Sequence, residues 1–271
     1  LSFNKVKFNL VGNTFTHLSG GNKGYSVHGK ISKYIEWVQD GSGIKTFYID
    51  DTIDQPLGSN SFNNYGWLLE SKWISSAIDR VKKSPDLYLE HYDMIFTHDQ
   101  ELVGINEKFK FVPAQGSWII DPKIYPKTKL VSMISSGKNW TDGHKFRLEW
   151  INNFRNKLDL YGRGFNEIQY KEEGLCDYMF SVAIENGSYA TYFTEKILDC
   201  FLTGTIPVYY GAPDIDNYFN MDGVILLNDN FDISQLTLEL YESKKYVIQD
   251  NLERTLKMEI LEDYIWENYI G

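Results

Sequence analysis

Glu195 and Lys196 stand side by side behind a polar loop, Glu185–Ser188, and an N-cap candidate, Thr194. A helix start offers free N–H groups and a partial positive charge, which suits a phosphate, and Lys196 adds a full charge there. Glu195 offers an acceptor for sugar or ribose hydroxyls. Tyr189, Tyr192 and Phe193 could line a base or a sugar ring. Glu and Lys are also ordinary residues of a solvated first turn, so the pair does not fix a site by spacing alone. Arg147 is a second candidate cation, one turn into another expected helix, and with Lys196 could clamp one diphosphate. Glu70 ends the apolar run Tyr65–Glu70, where a carboxylate could act as a general base.

These residues need a strand–loop–helix–strand scaffold, and the sequence supplies one. Met179–Ile184 reads as a buried strand. Ile197, Leu198, Phe201 and Leu202 recur at helical spacing, Gly204 stops the helix, and Thr205–Tyr210 reads as the next strand. Ligands of such parallel sheets sit beyond the carboxyl ends of the strands.

The motif read as Glu185, Asn186, Tyr192, Thr194, Glu195 and Lys196 resembles the donor-binding signature of the glycosyltransferase family 10 α-1,3-fucosyltransferases, with the Asn-to-Lys spacing of bacterial members. The helix behind it and Ile206–Pro213 resemble that family too. So do Trp67–Ser71, the run that carries the family's base; Ser135 at a strand end; Arg147 in the next helix; and Tyr161-Gly162-Arg163. Lys72 replaces the Pro that often follows the Ser in animal members. Ser136-Gly137-Lys138 replaces the family's usual Asn after Ser135.

The resemblance implies inverting transfer of L-fucose from GDP-fucose to a glycan hydroxyl, α-1,3 in type. It makes Glu70 the base, with Ser135, Arg147, Asn186, Tyr192, Glu195 and Lys196 as donor contacts. Glu185 and Arg163 are further donor-contact candidates. No metal ligand and no cofactor are expected. Another GDP-linked deoxysugar, or a non-catalytic glycan-binding protein on the same scaffold, stays open.

Around these residues the chain alternates strands and helices. Strands are expected at Lys5–Val11, Thr46–Ile49, Tyr65–Glu70, Asp93–Thr97, Phe109–Val112, Leu130–Ile134, Leu158–Tyr161 and Gly223–Leu227. Helices are expected over Lys30–Val38, Trp73–Val81, from Pro85, over Gly143–Asn156 and over Asn251–Tyr269. DPKIYP, residues 121–126, reads as a linker. This predicts an α/β protein of GT-B plan: two Rossmann-like domains facing a central cleft, residues 1–125 for the acceptor and 126–255 for the nucleotide sugar, with a C-terminal helix over 256–271.

The 271 residues are 42% hydrophobic, 24% charged and 15% aromatic, so a packed globular protein is expected. A net charge of −10 argues against nucleic-acid partners and anionic membrane surfaces. The partners expected are a GDP-sugar and a glycan. Cys176 and Cys200, each expected within a helix, read as core thiols.

No run is long enough to span a membrane and no leader is visible, which suggests a soluble bacterial or viral-type, cytoplasmic protein, peripheral to a membrane at most. A trimmed N-terminus that once carried an anchor stays open. The glycine-rich stretch His17–Gly24 lacks dinucleotide spacing, and Gly137-Lys138 lacks the rest of a P-loop. Asp214-Ile215-Asp216 is a D-x-D, better read as a capped helix start. Asp50, Asp51 and Asp54 have no zinc-like spacing. His98-Asp99 is a loop pair with at most an acceptor role.

Overall fold

A computed structural model describes residues 4–12, 31–59 and 63–271, so His17–Gly24 lies outside the described residues. The chain divides into two compact units. One runs to Ala114 and takes in Glu259–Gly271; the other is Gln115–Met258. The first boundary therefore falls at Ala114, not near 125.

The first unit holds six strands: β1 (Val6–Val11), β2 (Ile35–Val38), β3 (Thr46–Ile49), β4 (Asn64–Leu68), β5 (Met94–Thr97) and β6 (Phe109–Phe111). They pair in parallel, in the order β2-β1-β3-β4-β5-β6. Helices α1 (Ala77–Lys83), α2 (Pro85–Leu89) and α3 (Gln100–Val103) connect them. Phe8, Phe47, Tyr65, Trp67 and Phe96 fill one face, and Ile53, Leu68, Val81 and Ile95 the other.

The helix expected at Lys30–Val38 is instead strand β2 from Ile35. Ile31, Tyr34, Ile35 and Val38 mimic helical spacing, but Val6–Asn9 pairs with Ile35–Val38 and overrides it. The helix expected from Trp73 starts only at Ala77.

The second unit repeats the plan. Strands β7 (Lys129–Ile134), β8 (Asp159–Tyr161), β9 (Tyr178–Ile184), β10 (Ile206–Tyr210) and β11 (Ile225–Leu226) are parallel, in the order β11-β10-β9-β7-β8. Its helices are α4 (Asp142–Phe154), α5 (Glu195–Thr203), α6 (Leu238–Ser243) and α7 (Lys245–Leu256). Side chains of β9 alternate: Phe180, Val182 and Ile184 join Trp150, Val208 and Ile248 on one face, while Ala183 joins Phe193, Ile197 and Phe201 on the other. Both units are thus doubly wound, and the order reverses between the first and third strand of each.

Two segments differ from the sequence reading. DPKIYP is no free linker. Lys123 and Tyr125 donate backbone N–H bonds to Leu202 and Thr203 carbonyls, and the Lys127 ammonium reaches Thr203 O at 2.8 Å and Thr205 Oγ1 at 2.9 Å. The strap satisfies carbonyls that the end of α5 would leave orphaned. Burial lowers the Lys127 pKa to about 8.

The tail is likewise not one helix. After α7 the chain breaks into α8 (Leu261–Ile265) and a π-helical turn, Trp266–Ile270. Leu261 and Ile265 enter the first unit's core, and Asp263 accepts bonds from the Ser32 hydroxyl and Lys33 N–H. Cys200 lies in α5 as expected, but Cys176 lies in a turn. Among the described residues no helix is long and apolar enough to cross a membrane.

Gly204 ends α5 in the left-handed region at φ 71°, and a Cβ there would meet Ile124 at 2.9 Å. Gly204→Ala is expected to cost about 1–2 kcal/mol, read as a lower Tm.

Candidate active site

In the second unit the strand order reverses between β7 and β9, and the candidate residues collect at the carboxyl ends of those two strands. Ser135 follows β7, buried, its N–H donated to Tyr161 O at 2.8 Å. Gly162 must be glycine: its φ is 106° and a Cβ would lie 2.0 Å from Ser135 O. Thr141 caps α4 by accepting His144 N–H at 3.1 Å. Gly143 lets the first turn of α4 close on the loop after β9, since a Cβ would sit 2.3 Å from Asn186 O.

One turn into α4, Arg147 is only 5% exposed, and its Nε and Nη2 have no hydrogen-bond partner among the described residues. Burial lowers its pKa while the charges of Glu185 and Glu195 oppose the shift. Buried polar groups are nearly always paired, because an unpaired one keeps its desolvation cost. Two N–H-bearing nitrogens of a buried guanidinium thus stand unused at the switch point.

Lys196 is different: it is already paired. Its ammonium lies 3.1 Å from Glu185 Oε2, 3.0 Å from Thr194 Oγ1 and 3.4 Å from Glu195 Oε1. Glu185 is fully buried, and its two oxygens also accept Thr194 N–H at 2.8 Å and the Thr194 hydroxyl at 2.7 Å. Burial works against the ammonium, but Glu185 and then Glu195 raise its pKa. Burial likewise opposes ionisation of Glu195, but Lys196 and Lys171 hold it well below the usual carboxylate range.

Lys171 continues the network, 3.5 Å from Glu195 Oε1 and 3.2 Å from Asp199 Oδ2. Asp199 Oδ1 accepts the Ser117 hydroxyl and Trp118 N–H, and burial raises its pKa to about 6. A cavity of about 20 Å³ beneath the network holds one water at most, so a nucleotide has to lie outside it.

Glu70 belongs to the first unit, just past β4 and half-buried. Its Oε1 accepts Ser71 N–H at 2.8 Å. Asp50, at the end of β3, stands in the left-handed region at φ 47°, uncommon outside glycine, and is buried. Its Oδ1 accepts Leu69 N–H at 2.8 Å and Glu70 N–H at 2.9 Å. The Glu70 carbonyl lies 3.3 Å from His98 Nε2. Asp50 thus fixes the backbone that carries Glu70.

The second unit therefore brings together Ser135, Arg147, Glu185, Asn186, Glu195 and Lys196. Glu185 faces inward, as the anchor of Thr194 and Lys196. The Tyr192 ring is 2% exposed and stacks on Tyr189 at 4.8 Å, so Tyr189 is the more accessible ring. Arg163 is exposed; its carbonyl accepts Gly137 N–H. Asp214 of the D-x-D accepts Thr191 N–H with both oxygens, holding Thr191 at φ 65°.

Lys171, Asp199 and His144 were not singled out by sequence. Only His144 carried a signal, its i,i+3 spacing from Arg147.

Two doubly wound parallel units are the plan of a glycosyltransferase fold of GT-B type. Two solved structures share it: an α1,3-fucosyltransferase (14% identity, 94% of this chain and 82% of that one, TM-score 0.52) and a T4 phage BGT mutant in complex with UDP-glucose (12% identity, 97% and 99%, TM-score 0.56). Residues 124–247 match the model of the C-terminal region of glycosyltransferase family 10, the fucosyltransferases.

The chain is 38% identical over 71 residues to Helicobacter pylori alpha-(1,3)-fucosyltransferase FucT, 26% of this chain and 15% of that one. It is 29% identical over 183 residues to rat 4-galactosyl-N-acetylglucosaminide 3-alpha-L-fucosyltransferase 9, 64% of this chain. The chain spans half the length of the rat protein.

The two cations should respond differently to removal. Lys196→Met strands buried Glu185 and is expected to cost about 3–5 kcal/mol. Arg147→Met removes a group with an unpaired edge and is expected to cost about 1 kcal/mol or less. Paired thermal melts check the order.

Burial lowers the His98 pKa to about 4, against about 6.5 in the unfolded chain. Between these values the unfolded state binds more protons, so stability falls as pH drops through that window. His98→Gln should flatten the fall, measured by urea midpoints at about pH 7 and about pH 5.

Proposed function

We propose that the protein transfers L-fucose from GDP-fucose to a hydroxyl of a glycan acceptor, α-1,3 in type, with inversion at the anomeric carbon. The Glu70 carboxylate takes the proton of the acceptor hydroxyl as its oxygen bonds to the fucose anomeric carbon. The bond from that carbon to the β-phosphate oxygen breaks, and its electron pair leaves with GDP. Arg147 and Lys196 stabilise the charge that develops on the diphosphate. Asn186, Glu195 and Tyr189 face the ribose and fucose, with Ser135 at the phosphates. Neither metal nor cofactor takes part in this scheme.

The observation that carries the reading is the unpartnered Arg147 guanidinium edge beside the start of α5. A preorganised donor of this kind is worth about 10²–10³ in turnover. The match to the fucosyltransferase family model supports the sugar, and the α1,3-fucosyltransferase fold neighbour has also been solved with GDP-fucose. The rat relative's printed acceptor, a 4-galactosyl-N-acetylglucosaminide, is the acceptor to try first. A cytoplasmic site of action is part of the same proposal and is checked by cell fractionation.

Thermal shifts with GDP, UDP, CDP and dTDP test the nucleotide, since a ligand of the native state raises Tm. GDP alone should raise it, and a shift with UDP but not GDP would overturn the donor. Glu70→Gln should keep the GDP shift and lose about 10²–10⁴ in fucose transfer. Full turnover in that variant would remove Glu70 from the mechanism.

A further inference from the structure

His144 lies three residues before Arg147 on α4, so both side chains issue from one face of the helix near its N-terminus. It is 2% exposed, and its Nδ1 has no hydrogen-bond partner among the described residues. Gly143 admits the loop that carries Asn186 close to this turn of the helix, and the Asn186 side chain favours the protonated ring. The other charged groups acting on it are cations: Arg147 on its own helix, Lys138 in the preceding loop and Lys196 on α5. The carboxylates Glu185 and Glu195 act on Arg147 and Lys196 behind it. Burial first, then these cations, hold the His144 pKa down to about 4. The ring is therefore neutral at ordinary pH, with its Nδ1 buried and unused.

We infer that His144 is a donor-binding residue that takes up a proton from solvent when the diphosphate arrives and releases it when the nucleotide leaves. The inference rests on a GDP-linked donor occupying this site. The reason is a reversal of field. Without ligand, three cations oppose a fourth positive charge. A diphosphate carrying two negative charges outweighs their effect at the ring and favours imidazolium. The imidazolium then places a further N–H beside the oxygens that gain charge as the sugar departs.

The sign follows from linkage. A ligand that prefers the protonated protein binds more tightly as pH falls. The gain is at most about tenfold per pH unit, between the ring's pKa in the complex and its value of about 4 in the free protein. Above the pKa of the complex, affinity is flat with pH.

Isothermal titration calorimetry of the full chain with GDP-fucose tests this. Both phosphates of that donor are esterified, so it adds no titration of its own in the window. At about pH 6, MES and Bis-Tris should give different binding heats, which reports proton uptake on binding. His144→Gln removes the titrating ring and should lose both the buffer dependence and the pH slope.

If that variant fails to fold, imidazole NMR of the wild type serves instead. The chain has only 5 histidines, and one resonance should show a pKa moved upward by GDP-fucose. Binding with equal heats in the two buffers, undiminished uptake in His144→Gln, or no histidine shift would overturn the role of His144. Absence of GDP-fucose binding by the wild type in any buffer would overturn the donor reading itself.

Discussion

The buried carboxylate of Glu185 is the constraint on which the candidate site rests. It ends β9, the strand at the switch point, and takes the Thr194 N–H, the Thr194 hydroxyl and the Lys196 ammonium on two oxygens. A fully buried carboxylate is tolerated only if its charge is matched and its lone pairs are used. Meeting that requirement fixes the loop between β9 and α5, sets the first turn of α5, and aims Lys196. Gly211 is held to glycine by the same packing, because a Cβ would lie 2.6 Å from Glu185 Cγ.

Outward from Glu185, the pocket is a balance of charges within an acidic chain. Glu185, Glu195 and Asp199 face Arg147, Lys171 and Lys196, and among the cations of this network Arg147 keeps buried donors without a partner among the described residues. Lys171 and Lys196 are each paired with carboxylates instead. Asp199 ties the network to Ser117 and Trp118, while Lys123, Tyr125 and Lys127 close the C-terminal end of α5. The C-terminal end of the helix that carries Lys196 is therefore held by the segment that the sequence presents as a linker and the residue after it.

What could be read from sequence was what local chemistry dictates. The β9–α5–β10 unit, its Thr194 cap and its Gly204 stop follow from spacing and capping rules, and the structure has them. The candidate site residues on those elements came from the family resemblance, since spacing alone does not set Glu195 and Lys196 apart from an ordinary first turn. What was missed depends on tertiary proximity. Lys171 stands in a turn with nothing to mark it, and its distance from Asp199 is set by packing. Tyr192 reads as an accessible ring until the fold buries it under Tyr189. Strand β2 was misread because four apolar residues fit two periods, and only pairing with β1 decides between them. The tail misled likewise: Leu261 and Ile265 belong to a core built mainly on the strands of the first unit.

A structure of the protein with GDP bound tests the central claim most directly. One β-phosphate oxygen should lie about 2.7–3.2 Å from Arg147 Nε or Nη2, with Glu185 still holding Thr194 and Lys196. GDP bound elsewhere, with the Arg147 edge still unpartnered, would contradict the account.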